Sequence, residues 1–136
     1  MKELVLMIGI QASGKTTFAK SHFVQTHAYI SLDILKTRFQ ENLKLNQAIS
    51  DSKNIVVDNT NVTKKEREKY ISLAKKNNYK VIGYYFVPNV KLSLIRNRNP
   101  DRISVPQVAI FDRLKKFETP TLDEGFDEIF QVETLI

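Results

Sequence analysis

The sequence predicts an α/β fold: a mainly parallel sheet of about five strands covered by helices on both faces. Two observations carry that expectation. Short apolar runs alternate with helical patterns of roughly 10 to 15 residues, the signature of βαβ units. The first apolar run also passes through a glycine-containing turn directly into the first helical pattern. A chain of 136 residues with 42% apolar content is long enough for one core and short for two, so a single domain over residues 1–136 is expected.

The elements follow in order. "ELVLMIGI" (3–10) reads as a buried strand with Gly9 near its end, and residues 15–26 as a helix with Phe18, Ala19, His22 and Phe23 on one face. "AYISL" (28–32) is a second strand, Asp33 to about Leu45 a polar helix, and "NIVVD" (54–58) a third strand. Thr63 to Asn77 is a helix that turns Tyr70, Leu73 and Ala74 inward, and "KVIGYYFV" (80–87) is a fourth strand, ended by Pro88. A helix runs to about Arg96, and Pro106 occupies the first turn of another that reaches Phe117. "FDEIFQVE" (126–133) alternates as an edge strand does.

Composition narrows the function classes. With no cysteine, disulfides and thiolate metal sites are excluded, and no apolar run of about 18 residues suggests a membrane span, so a cytoplasmic or otherwise intracellular protein without membrane contact is expected. Residues 1–117 hold all 21 Lys and Arg against 9 of the 15 Asp and Glu, a net +12. Residues 118–136 hold the other six acids and no Lys or Arg, a net −6. A basic body of this kind attracts polyanions, although lysine-rich helix faces also serve solubility alone.

"GIQASGKT" (9–16) fits G-x-x-x-x-G-K-[ST] and lies between strand and helix, the context that pattern requires. This predicts a P-loop NTPase/kinase fold. Backbone N–H groups turn inward around a phosphate, Lys15 reaches the β and γ phosphates of ATP, and the Thr16 hydroxyl is the Mg²⁺ ligand. Gly9, Ala12, Ser13, Gly14 and Thr17 complete the nucleotide-binding loop, with Ala12 where kinases of this type often carry glycine. In an open parallel sheet the residues just after the strands converge on such a loop. After the second strand comes Asp33, a helix N-cap, a catalyst or both. After the third comes Asp58, either an acid acting on Mg²⁺ through water or an acceptor tying the loop's strand to its neighbour. After the fourth, Arg96, Arg98 and Arg102 lie in a stretch with little apolar patterning, which suits a lid over residues 96–105.

"GIQASGKT", "SLDILKTR", "VVDNTN", "RNRNPDRISVP" and "FETPTLDEGFDEI", in this order and spacing, resemble the kinase domain of the polynucleotide 5′-hydroxyl kinases of phage and animal repair. The resemblance spans nearly the whole chain. It implies that Asp33 is the general base for the 5′-hydroxyl, that Lys15 and Thr16 serve phosphate and Mg²⁺, and that Arg96 with Arg98 or Arg102 forms the lid, Arg102 on the nucleotide. It implies too that Asp58, Asn59, Thr60 and Asn61 line the acceptor side. Lys36 stands where the family usually has a phosphate-holding arginine, so Lys36 or Arg38 takes that role, and Pro100 interrupts the lid spacing. The family's larger members attach a phosphatase or ligase. No D-x-D-x-T or nucleotidyltransferase lysine motif is present, so the kinase alone is expected here.

The expected activity is transfer of the γ-phosphate of ATP to the 5′-hydroxyl end of RNA or DNA, as in nucleic-acid end healing. A small-metabolite kinase on the same scaffold and a non-catalytic nucleotide-binding module are the alternatives.

Overall fold

The computed structural model describes residues 1–98 and 105–133. Five strands, β1 (Glu3–Ile8), β2 (Ala28–Ile30), β3 (Ile55–Asp58), β4 (Lys80–Phe86) and β5 (Glu128–Val132), form one sheet in the order β2-β3-β1-β4-β5. Every pairing is parallel. The helices are α1 (Lys15–His22), α2 (Leu32–Leu35), α3 (Arg38–Ser50), α4 (Lys64–Lys76), α5 (Val90–Asn97) and α6 (Gln107–Lys116), with a 3₁₀ turn at Leu122–Glu124. The predicted sheet is therefore present.

Side-chain alternation along β1 divides the core in two. Leu4, Leu6 and Ile8 pack on one face with Leu45 and Ala48 of α3 and Tyr70 and Ala74 of α4. Val5 and Met7 pack on the other with Ala19 of α1, Phe23 and Phe86. A third, smaller cluster of Ile10, Val62 and Ile110 sits under α5 and α6 with Val90, Leu94 and Leu114 at its margin. Because the chain leaves β1 toward β2 and β3 and later returns past it to β4 and β5, the strand order reverses at β1. Ligand crevices in open α/β sheets form at that reversal, outside the carboxyl ends of the strands.

Several boundaries differ from the sequence reading, each for a local reason. β1 stops at Ile8 because the Gly9 N–H bonds the carbonyl of Thr60, at 2.9 Å, and leaves the ladder. α1 stops at His22, since Phe23 closes it and its carbonyl accepts from Thr26 and His27 in a turn. The single helix expected from Asp33 to Leu45 is two helices. Lys36, at φ +71°, ends α2, and the Thr37 hydroxyl starts α3 by accepting the Gln40 N–H at 3.1 Å. Ser31, not Asp33, holds the N-cap position of α2, and Pro106 is the N-cap of α6 rather than part of its first turn.

The acidic segment after residue 117 is an integral part of this fold. Arg67 of α4, fully buried, gives Nε and Nη2 to the two carboxylate oxygens of Glu124, at 2.8 and 3.1 Å, and Nη1 to the carbonyl of Asn61 at 2.9 Å. Gly125 follows at φ +118°, where a β-carbon would stand 2.7 Å from Ile71 Cγ2, so only glycine fits the turn into β5.

Candidate active site

A cleft of about 630 Å³ opens at the carboxyl ends of the strands, at the reversal point. One wall is the loop from Gly9 to Thr17. Gly14 caps α1 at φ +96°, and a β-carbon there would lie 2.9 Å from Arg96 Nη1, so glycine lets the Arg96 guanidinium close over the loop. Ala12 adopts φ +58°, a left-handed conformation usually left to glycine. Lys15 is buried, with its ammonium on the Ile10 carbonyl at 3.0 Å. The Thr16 hydroxyl donates to Asp58 Oδ2 at 2.8 Å.

The opposite wall is α2 and the start of α3. Asp33, Lys36 and Arg38 line it, and all three are exposed. The floor is Asp58 to Asn61, whose polar groups are largely engaged within the protein. Asp58 Oδ2 also accepts a short hydrogen bond from the Tyr29 hydroxyl. Burial, reinforced by the Asp58 carboxylate, holds that phenol far above its ordinary pKa, so it remains a donor. Asn59 Oδ1 accepts the Leu32 N–H at 2.9 Å, and Asn61 Nδ2 donates to the Met7 carbonyl at 3.0 Å from a φ of +47° that asparagine tolerates.

Under this floor lies a buried carboxylate that sequence reasoning missed. Glu41, without solvent exposure, accepts from Lys69 Nζ at 2.7 Å, Tyr70 OH at 2.8 Å, Asn59 Nδ2 at 2.9 Å and Arg38 Nη1 at 3.1 Å. Burial pushes its pKa up, but these four donors outweigh that and leave it below the ordinary carboxylate value. Burial, and then the Glu41 charge, pushes the Tyr70 phenol up to about 12. Arg113 is another residue that sequence reasoning missed. It reaches the cleft from α6 and pairs with Glu66 at 2.8 Å. Its signal in the sequence is an arginine three residues after Ile110, on the inward face of its helix.

The cleft thus gathers Ala12, Lys15, Thr16, Asp33, Lys36, Arg38 and Asp58 to Asn61. Gly9, Ser13, Gly14 and Arg96 adjoin it through the loop, whereas Thr17 and Arg98 are exposed and do not line it. Arg102, and most of the lid expected over 96–105, lie outside the described residues. The residues that flank that stretch are tied together, since the Asn97 amide exchanges two hydrogen bonds with the Val105 backbone at 2.7 and 2.8 Å.

No family model matches the chain. Solved structures match it closely in shape: a fungal RNA kinase, 16% identical, covers 98% of this chain and 39% of its own with a TM-score of 0.76. Kti12 of Chaetomium thermophilum in complex with ADP-AlF3, 18% identical, covers 96% and 88% with a TM-score of 0.75. The fold is that of the P-loop kinases. Within this P-loop kinase fold, the chain is similar in sequence to polynucleotide kinases. It is 28% identical over 136 residues to the bifunctional polynucleotide phosphatase/kinase of Schizosaccharomyces pombe, covering 96% of this chain and 33% of that protein. It is 32% identical to an Acanthamoeba polyphaga mimivirus protein provisionally described in the same terms, covering 94% and 32%. The chain therefore spans about a third of the length of these relatives. Among the described residues, no helix is long and apolar enough to cross a membrane.

Proposed function

We propose that this chain is an ATP-dependent polynucleotide 5′-hydroxyl kinase. The observation that carries this reading is the pairing of two unlike walls across one cleft: a phosphate-cradling loop with Lys15, and an acceptor wall with one carboxylate, Asp33, and the cations Lys36 and Arg38. The similarity to polynucleotide phosphatase/kinases supports a polymer as acceptor, as does the basic body.

The 5′ oxygen of RNA or DNA attacks the γ-phosphorus in line; the new O–P bond forms while the bond from phosphorus to the β–γ bridging oxygen breaks, and ADP leaves. Asp33 takes the hydroxyl proton and orients the oxygen. Lys15 and the loop N–H groups offset charge on the phosphates, and Arg96, held over Gly14, adds to them. Arg98 and Arg102 are the remaining lid candidates. Lys36 and Arg38 hold the acceptor phosphate, while Asp58 to Asn61 form the floor beneath it.

The donor set suits Mg²⁺. Among the described residues no group of three or more His, Cys, Asp or Glu gathers, and Thr16 with Asp58 supplies one hydroxyl and one carboxylate. Mg²⁺ is commonly held by such a partial set together with phosphate oxygens and water, and it would neutralise charge on the transferred group.

Incubating the protein with γ-labelled ATP and 5′-hydroxyl RNA, 5′-hydroxyl DNA or a mixture of small metabolites tests the proposal. Label on an oligonucleotide 5′ end is the expected outcome. Label confined to a metabolite, or to nothing, overturns it.

A further inference from the structure

The Glu41 carboxylate, with the Tyr70 hydroxyl beside it, joins two cleft residues, Arg38 and Asn59, in one network. Through Arg38 it reaches a guanidinium whose side chain is 58% exposed and whose Nη1 alone is engaged, with Glu41 and with Tyr70 OH at 3.0 Å, among the described residues. That leaves Nε and Nη2 for a ligand, the edge that binds a phosphate bidentately. Through Asn59 the network reaches the Leu32 N–H, one residue before Asp33. Among the described residues, Lys36 by contrast makes no bond to the network. A buried charge is costly to desolvate, and a whole buried ion-pair set replaced by apolar side chains is often as stable. The four donors to Glu41 stand between the core and the acceptor wall.

We propose that Glu41 is the positioning residue of the acceptor half: it presents Arg38 to the first internucleotide phosphate of a 5′-hydroxyl strand and, through Asn59, fixes the turn that carries Asp33. This rests on the kinase reading above. Arg38, oriented from beneath, is then the phosphate contact, and Lys36 contributes charge without direction.

The test uses the full chain, γ-labelled ATP and two 5′-hydroxyl trinucleotides, one with a normal first phosphodiester and one with an uncharged methylphosphonate there. For the wild type, the neutral linkage is expected to raise acceptor KM about ten-fold, a usual coupling for groups in contact. In Glu41→Gln, acceptor KM for the charged strand rises by about the same factor, while the neutral linkage then costs less than about two-fold and ATP KM moves by less than about two-fold. Lys69 and Arg38 both reach solvent, so loss of the buried charge leaves neither cation stranded. If Glu41→Gln nonetheless fails to fold, Tyr70→Phe removes the hydroxyl shared by Glu41, Arg38 and Asn59, and the same pattern is expected. Equal linkage penalties in variant and wild type, or a parallel rise in ATP KM, overturn the role of Glu41 and leave the kinase reading intact. A wild type that labels neither strand overturns both.

Discussion

At the residue scale, Asp33 and Lys15 reach the cleft by different routes. Lys15 is buried and tied to the Ile10 carbonyl, while Asp33 stands exposed in the first turn of a four-residue helix whose N-cap is Ser31. With the cap position taken by serine, Asp33→Asn separates chemistry from stability. Turnover is expected to fall by roughly 10² to 10⁴, with melting temperature and ATP affinity nearly unchanged; a variant that keeps more than about a tenth of wild-type turnover removes Asp33 from the proton transfer. Lys15, Thr16 and Asp33 are legible in the sequence because their signals are local, a loop pattern and a strand end. Glu41, Tyr29 and Arg113 are not, because each depends on a distant partner: Tyr70 is 29 positions from Glu41, Asp58 is 29 from Tyr29, and Glu66 is 47 from Arg113. A polar residue in a helix face reads as solvated until its partner is known.

At the scale of elements, the strands and their parallel arrangement follow from apolar runs and helical spacers, and these are readable. The break between α2 and α3 is harder to see. Its cause is Lys36 at φ +71°, a conformation that lysine does not announce. One signal does exist: Thr37-Arg38-Phe39-Gln40 has the T-x-x-Q spacing of a helix start, and the Thr37 hydroxyl caps α3 as that spacing implies. The same arrangement starts α4 at Thr63. Because α3 carries both Arg38 and Glu41, its first turn matters to the acceptor wall. Thr37→Ala is expected to lower unfolding free energy by about 1 kcal/mol, read as a lower urea midpoint with an unchanged slope; a midpoint equal to that of the wild type contradicts the cap.

At the scale of the whole molecule, the acidic segment closes the structure onto the cleft floor. Arg67 holds Glu124 with two bonds and the Asn61 carbonyl with a third. Removing one member of a buried pair strands the other, so Glu124→Ala is expected to cost about 3 kcal/mol or more, whereas Arg67→Met with Glu124→Leu together should recover part of that loss. Urea titrations of the three proteins check this, and a single variant as stable as the double one refutes it. The all-parallel sheet also has a consequence in time. Among the described residues, paired positions lie far apart in sequence: Ala28 of β2 meets Ile55 of β3, and Leu4 of β1 meets Ile55 on one side and Val81 on the other. During synthesis at about 5 to 20 residues per second, β1 therefore waits roughly 3 to 10 seconds for β3 and longer for β4, with its Leu4–Ile8 run unpaired along both edges. Among the described strands, the one that ends at the phosphate loop is thus also the one that stays longest as a bare apolar edge while its partners are still being made.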